Sequence, residues 1–164
     1  MPDSKCQCCG NRPDTAADSR GVRVTAGVVA GTLAAVGALH AVWSRSPWPC
    51  RDAEQFADLV VGVTPDRLPS PQACLGVAGL LGAGAYLVAA RGGLLPAVGP
   101  RWLPAAGSAG VAAVLLARGS VGPFLFGTGR VPRTPRFVRL DRRVYAPLCT
   151  ALGAGAALVA ADGR

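Results

Sequence analysis

The chain contains few of the residues that keep a folded protein dissolved in water. Charged residues make up 16% of its 164 residues, whereas they make up about a quarter of an average soluble protein. There is a single lysine, a single asparagine and no isoleucine, while Ala, Gly, Val and Pro are abundant. This shortage of charge argues against an ordinary soluble domain and draws attention to the long uncharged runs.

Sequence motifs typical of catalytic sites are also scarce. The sequence has one histidine, His40, and no Gly-rich phosphate loop, no serine-centred triad and no paired-carboxylate site. We therefore predict no catalytic residue from motifs alone, and no cofactor.

Four uncharged runs divide the chain, and each is long enough to be considered for a membrane crossing. The first has 20 residues, which covers a hydrocarbon core of about 30 Å. The other three have 16 to 18 residues and need a few flanking residues to complete a crossing. None alternates apolar and polar residues as a β-barrel strand does. The runs are 24–43, 73–90, 102–117 and 144–161.

These runs predict an all-α fold: an integral membrane four-helix bundle with two longer loops on one face. Residues 1–20 are predicted to be a disordered, polar, Cys-containing tail, and residues 21–164 the transmembrane domain. The first run ends in bulky aromatic residues rather than a small-residue cleavage site, so we expect a retained helix. The predicted helices are about 22–43, 73–90, 102–118 and 141–161, and the connections are loop one (44–72), loop two (91–101) and loop three (118–143).

Two stretches within the longer loops have some apolar character of their own. Phe56, Leu59, Val60 and Val63 could line the apolar side of a short interfacial helix in loop one. In loop three, "VGPFLFG" is expected to enter the headgroup layer. A buried loop or a plain linker is the alternative for both stretches.

Four crossings place loops one and three on the same face of the membrane, with both chain ends and loop two on the other. The chemically distinctive side chains therefore gather at one face. They define a candidate pocket that could bind a small ligand or a lipid head group. Its residues are His40, Trp43, Asp141, Tyr145 and Cys149.

The start of the fourth helix allows a simpler interpretation of the same residues. We expect this helix to begin near Leu140 or Asp141 and to bend around Pro147. Asp141 would then cap the helix and pair with Arg118 or Arg139. Tyr145 would be an aromatic residue of the membrane interface.

The cysteines leave two questions open. Cys50 and Cys74 flank loop one, and a disulfide between them is expected if that face is extracytoplasmic, whereas they would be thiols if it is cytoplasmic. Ten of the 17 Lys and Arg residues lie in loops one and three, which favours the cytoplasm, although the tail would then have to cross the membrane. The tail thiols Cys6, Cys8 and Cys9 could bind a soft metal, but they lack the spacing of a zinc module and we predict no metal.

Two motifs stand out at the ends of the first and last runs: His40-x-x-Trp43 followed by Trp48-Pro49, and Phe137-x-Arg139-Leu140-Asp141-Arg142-x-x-Tyr145-x-Pro147-Leu148-Cys149. On these motifs the chain resembles the small multi-pass bacterial membrane proteins grouped as domain of unknown function 3995, over most of residues 24–161. It departs from the family at Arg45, where Gly is frequent, and at Ala146, where Ser is usual. The resemblance implies a multi-pass membrane fold and brings no established activity.

Two functions follow from these observations. The first is a non-catalytic bundle in the plasma membrane, in contact with the lipid bilayer, that binds a lipophilic ligand or joins another membrane protein as a subunit. The second is a membrane enzyme of isomerase or redox type that acts on a lipophilic substrate at His40, Asp141 and Tyr145. Despite the net charge of +8, we predict no nucleic-acid binding, because the arginines lie between apolar runs where they anchor helices.

Overall fold

The computed structural model describes residues 14–162, with side chains from residue 19 onward. Cys6, Cys8 and Cys9 lie outside the described residues, as does most of the predicted tail. Every regular element in residues 14–162 is helical, which confirms the all-α fold class. The elements are α1 (Asp14–Trp43), α2 (Ala53–Phe56), a π-helical turn (Ala57–Val61), a 3-10 turn (Pro65–Arg67), α3 (Pro71–Arg91), α4 (Trp102–Gly127), α5 (Pro135–Leu140), a second π-helical turn (Asp141–Tyr145) and α6 (Ala146–Ala161).

Four helices are long and apolar enough to cross a membrane, and they follow the order that the uncharged runs predict. The last of them joins α5, the second π-helical turn and α6 into one helix of 27 residues, about 40 Å long at 1.5 Å per residue. We call it the fourth span. The four segments are Ser19–Trp43, Pro71–Arg91, Trp102–Gly127 and Pro135–Ala161.

The predicted helix ends are wrong in three places. α1 begins at Asp14, so residues 14–20, which were assigned to the disordered tail, are helical. α4 continues to Gly127 and includes the "VGPFLFG" stretch that was expected to lie in a loop. The fourth span begins at Pro135 instead of near residue 141. In loop one, by contrast, residues 53–61 do form a short helical segment.

A capping threonine explains why the fourth span begins earlier than predicted. The Thr134 hydroxyl accepts a hydrogen bond from the Phe137 N–H at 3.3 Å, and Pro135 occupies the first helical position, where its missing N–H is not needed. Asp141 is therefore not the N-cap.

The bend expected around Pro147 is a π-helical turn that immediately precedes the proline. Pro147 has no N–H to donate, and its ring crowds the carbonyl four residues earlier. In the turn just before it, the Ala146 N–H donates to the Asp141 carbonyl, five residues back. This wider turn leads the backbone into α6 with its hydrogen bonds shifted by one residue.

The four long helices pack as two antiparallel pairs. α1 packs mainly on α3 and α4 mainly on α6, and contacts from α3 to α4 and from α1 to α6 join the pairs. The buried core is made largely of Ala and Val and lies in the half of the molecule near the 92–101 connection. Its members are Ala26, Val29, Ala30, Leu33, Ala85, Val88, Ala89, Ala112, Leu152, Ala156 and Val159.

The opposite end of the molecule, which bears the connections 44–70 and 128–134, is called the loop face below. It is packed by a separate set of side chains, among them the buried Phe56, Ala57 and Phe137. Because the loops supply these residues, the loop face is a structured surface of its own.

Two glycines allow α4 and α6 to approach closely. A Cβ atom on Gly119 would lie 3.0 Å from both the Ala146 carbonyl oxygen and the Thr150 nitrogen. A Cβ atom on Gly153 would lie 3.0 Å from the Leu116 nitrogen. Since backbone atoms cannot move aside as a flexible side chain can, small residues are required at these points.

The substitution Gly119→Ala tests this close approach. We expect it to destabilise the protein by about 1–3 kcal/mol, because the added methyl group overpacks the interface. Gly110→Ala in the same helix is the matched control, since a Cβ atom there meets nothing within 4 Å, and it should leave stability unchanged or raise it slightly. Thermal unfolding in mild detergent provides the measurement, and equal melting temperatures for the two variants would contradict the packing.

The even number of spans predicts on which side of the membrane the two chain ends lie relative to each other. Reporter tags fused to the two ends of the chain should report the same side of the membrane, because four crossings return the chain to its starting side. A tag inserted in the 44–70 connection should report the other side. Ends on opposite sides would contradict the arrangement.

Candidate functional site

The loop face is held together by hydrogen bonds between its two connections. The Thr134 hydroxyl donates to the Asp58 carbonyl at 2.7 Å, and the Thr134 N–H donates to the Gly62 carbonyl at 3.1 Å. The Tyr145 hydroxyl donates to the Leu59 carbonyl at 3.3 Å. The two Thr134 bonds join the start of α5 to the first π-helical turn and its C-cap, and the Tyr145 bond joins the two π-helical turns. We call residues 57–62 and 134–145 together the π-turn junction.

Phe137 packs at the centre of the π-turn junction. Its ring lies 5.5 Å from that of Phe126 and 5.9 Å from that of Tyr145, measured between ring centroids. Gly62 has a φ of 77°, and a Cβ atom there would come within 2.5–2.8 Å of Phe137 atoms. Glycine is therefore required at residue 62 both for the backbone conformation and for the space that Phe137 occupies.

An ion pair joins α4 to the π-turn junction at Asp141. A terminal nitrogen of Arg118 lies 2.5 Å from the Asp141 Oδ1. The Asp141 side chain is 1% exposed and that of Arg118 is 34% exposed. A charge inside a membrane span is costly unless it is paired, so the pair explains how both residues are accommodated. Arg139, the other predicted partner of Asp141, is exposed.

The pair is only partly satisfied by hydrogen bonds. The Asp141 Oδ2 and the Arg118 Nη1 are buried and have no partner in the described part of the chain. The guanidinium group lies 5.2 Å from the centroid of the Phe126 ring, and a side chain on Gly122 would collide with its Nη1. Cys149 is half-buried and lies within electrostatic reach of both charged groups.

His40 and Trp43 belong to a different part of the loop face. His40 Nδ1 lies 2.9 Å from the Val36 carbonyl one turn earlier in α1, which places a proton on Nδ1. Its ring centroid lies 4.7 Å from that of Trp43, which in turn lies 5.3 Å from that of Phe56. The Trp43 indole N–H donates to the Trp48 carbonyl at 2.8 Å.

A cleft of about 210 Å³ opens beside Trp43, where α1 leaves the membrane-spanning part of the molecule. The lining of this cleft includes Trp43 but not His40, Asp141, Tyr145 or Cys149. The structure thus places all five predicted pocket residues at or just below the loop face, and of the five only Trp43 lines this cleft. Among the lining residues are Trp43, Arg45, Ala53, Phe56, Leu68, Pro69 and Cys74.

Three of the six cysteines lie in the described residues. Cys50, Cys74 and Cys149 are free thiols, so the structure does not contain the Cys50–Cys74 disulfide that the sequence left open. Within residues 14–162, no cluster of three or more His, Cys, Asp or Glu side chains could hold a metal ion.

Several residues that organise this face were missed by sequence reasoning. Thr134 carried a signal, because a threonine followed by proline is a frequent helix start. Gly62 and Gly122 carried none, since nothing in the sequence shows which side chain packs against a given glycine. The same holds for Leu59, which contributes only its carbonyl oxygen.

A comparison with protein families finds one match. The model of a family described as "Protein of unknown function (DUF3995)" matches residues 33–156, which include the loop face and both sequence motifs. No curated protein and no solved structure matches the chain.

The ion pair makes a testable prediction about stability. Arg118→Ala leaves the buried Asp141 carboxylate without its partner and should cost about 3 kcal/mol, the lower part of the range for a broken buried pair, because Arg118 is partly exposed. The double variant Arg118→Met/Asp141→Leu removes both charges and should recover most of that loss. Arg139→Ala is the control and should change stability by less than about 0.5 kcal/mol.

Thermal unfolding of these variants in detergent measures the effect. A double variant no more stable than Arg118→Ala would show that the buried charge is not the cause of the loss.

Proposed function

The chain belongs to the DUF3995 family, which brings no activity with it, and from that premise we propose that it is a non-catalytic, multi-pass plasma-membrane protein that binds a membrane lipid or another lipophile at its loop face. The observation that carries the proposal is the cleft beside Trp43. It combines apolar walls with one exposed cation at the level where a membrane helix ends.

The lining of the cleft suits an amphiphile. Trp43 and Phe56 present aromatic rings and Leu68 an aliphatic side chain, while Arg45 is exposed at the rim. Aromatic residues are enriched at membrane interfaces because their rings suit the boundary between hydrocarbon and headgroups. An apolar segment against the rings and a polar or anionic group near Arg45 would match both halves of the lining.

The size of the cleft favours binding over catalysis. Its volume of about 210 Å³ is below the roughly 300–1,000 Å³ of usual small-molecule pockets. It can therefore accept part of an amphiphile, such as a chain segment or a head group, while the rest remains in the bilayer. An enclosed chamber for a whole substrate would need more room.

The alternative function, an enzyme at His40, Asp141 and Tyr145, has less support. A general acid or base must lie within hydrogen-bond reach of its substrate. Each of these three side chains is instead engaged by a partner of its own. His40 bonds to Val36, Asp141 to Arg118, and Tyr145 to Leu59.

Native mass spectrometry of the full chain, extracted in mild detergent, tests the proposal. The wild type should retain a lipid or other lipophile. Ala53→Phe, which fills the cleft, and Trp43→Ala, which removes one wall, should each lower its occupancy about fivefold or more, as expected for losing 1–2 kcal/mol of apolar contact. Trp102→Ala is the matched control, because Trp102 is exposed at the other end of the molecule.

Two results would overturn the proposal. One is an identical set of retained lipids in the wild type and in all three variants. The other is a second protein chain that co-purifies in place of any lipophile, which would identify the protein as a subunit of a complex.

A further inference from the structure

The segment 130–143 has a large excess of positive over negative side chains. It contains six arginines and a single acidic residue, Asp141. Asp141 is buried against Arg118, which lies outside the segment. Arg136 pairs with Asp58 at 3.2 Å. Four exposed arginines of the segment form no salt bridge within residues 19–162: Arg130, Arg139, Arg142 and Arg143.

Two of these four arginines lie against the C-terminal end of α4. The Arg130 guanidinium lies 5.3 Å from the centroid of the Phe124 ring. The Arg142 guanidinium lies against Gly127, where a Cβ atom would come 2.5 Å from its Nη2. Since Phe124 and Gly127 are three residues apart on one helix, they lie on neighbouring turns. The negative end of the α4 dipole favours cations at this place.

Exposed apolar side chains adjoin these cations along α4. Phe124 is 55% exposed and Val121, about one turn deeper in the span, is 49% exposed. The order from the loop face inward is therefore cation, aromatic ring and aliphatic side chain. A phospholipid has the same order, with phosphate at the surface, then glycerol, then acyl chains.

The chemistry of the two guanidinium groups identifies the class of lipid. Guanidinium groups bind phosphate through charge-assisted, often bidentate hydrogen bonds. Arg139 and Arg143 add positive charge to the same segment, which disfavours a zwitterionic head group that carries its own cation. The apolar surface of Phe124 and Val121 offers nothing to a free phosphate ion, whereas it can contact an acyl chain.

We propose that Arg130 and Arg142 bind the phosphate of an anionic phospholipid, with its acyl chain against Phe124 and Val121. This site is separate from the cleft beside Trp43, because neither arginine lines that cleft. It goes beyond the proposed function, since either site can exist without the other.

The experiment uses the delipidated full chain in detergent and three separate probes: phosphatidylglycerol, phosphatidylcholine and inorganic phosphate. Native mass spectrometry measures the bound lipid, and thermal unfolding measures the stabilisation by each probe. The wild type should bind phosphatidylglycerol in preference to phosphatidylcholine, and raised salt should weaken that preference. Inorganic phosphate should stabilise it little.

The variant Arg130→Gln/Arg142→Gln should bind phosphatidylglycerol about 30-fold more weakly, as expected for two arginines near an anionic head group. Arg51→Gln/Arg67→Gln is the control, because it removes the same charge from two exposed arginines elsewhere on the loop face. It should weaken binding less than about threefold.

Three results would overturn the inference. Equal affinity for the two lipids would remove the role of the phosphate charge. Equal losses in the variant and its control would show a general effect of net charge. Stabilisation by inorganic phosphate equal to that by lipid would identify a site for a free anion. The Ala53→Phe variant separates the two proposals, since it should leave the preference for phosphatidylglycerol unchanged.

Discussion

Hydrocarbon offers the peptide backbone no hydrogen-bonding partner, so each backbone polar group of a membrane span must be satisfied within the protein. Three prolines of this chain show ways in which that constraint is met. Pro71 and Pro135 occupy first helical turns, where no N–H is required. Pro147 lies inside the fourth span, and there the chain forms a π-helical turn that shifts the hydrogen-bond register by one residue. Residues 137–149, which were singled out in the sequence, surround this turn and include the proline.

Hydrocarbon also penalises a charged side chain that has no partner. A lone Asp141 in the fourth span would be costly, and Arg118 from α4 neutralises it. Along the fourth span, Phe137, Asp141 and Tyr145 recur every four residues and make contacts inside the molecule. The arginines between them are exposed. Because Asp141 is directed inward, the outward side of this segment keeps positive charge with little to balance it.

The number, order and approximate position of the spans could be predicted because long uncharged runs are a strong signal. The ends of the helices were harder to predict, since a charged residue was taken to end a helix. Arg118 ended the predicted third helix, yet its pairing with Asp141 allows α4 to continue to Gly127. The candidate site was predicted only as a membrane face. Position along a span specifies depth, but not the side of the molecule to which a side chain turns. The sequence therefore left the partner of Asp141 open between Arg118 and Arg139, and it did not show the contact of His40 with Trp43.

Three side chains of the loop face that could exchange protons have hydrogen-bonding partners. Tyr145 and His40 donate to backbone carbonyls, and Asp141 is held by Arg118. The bond of Tyr145 also holds the π-turn junction together, so a reaction that used this hydroxyl would have to break it first. Guanidinium groups, aromatic rings and aliphatic side chains are also present at the loop face, and the free thiol of Cys74 lines the cleft with some of them. Guanidinium groups, aromatic rings and aliphatic side chains recognise charge and apolar surface and do not exchange protons near neutral pH, which supports the proposal that the loop face binds an amphiphile.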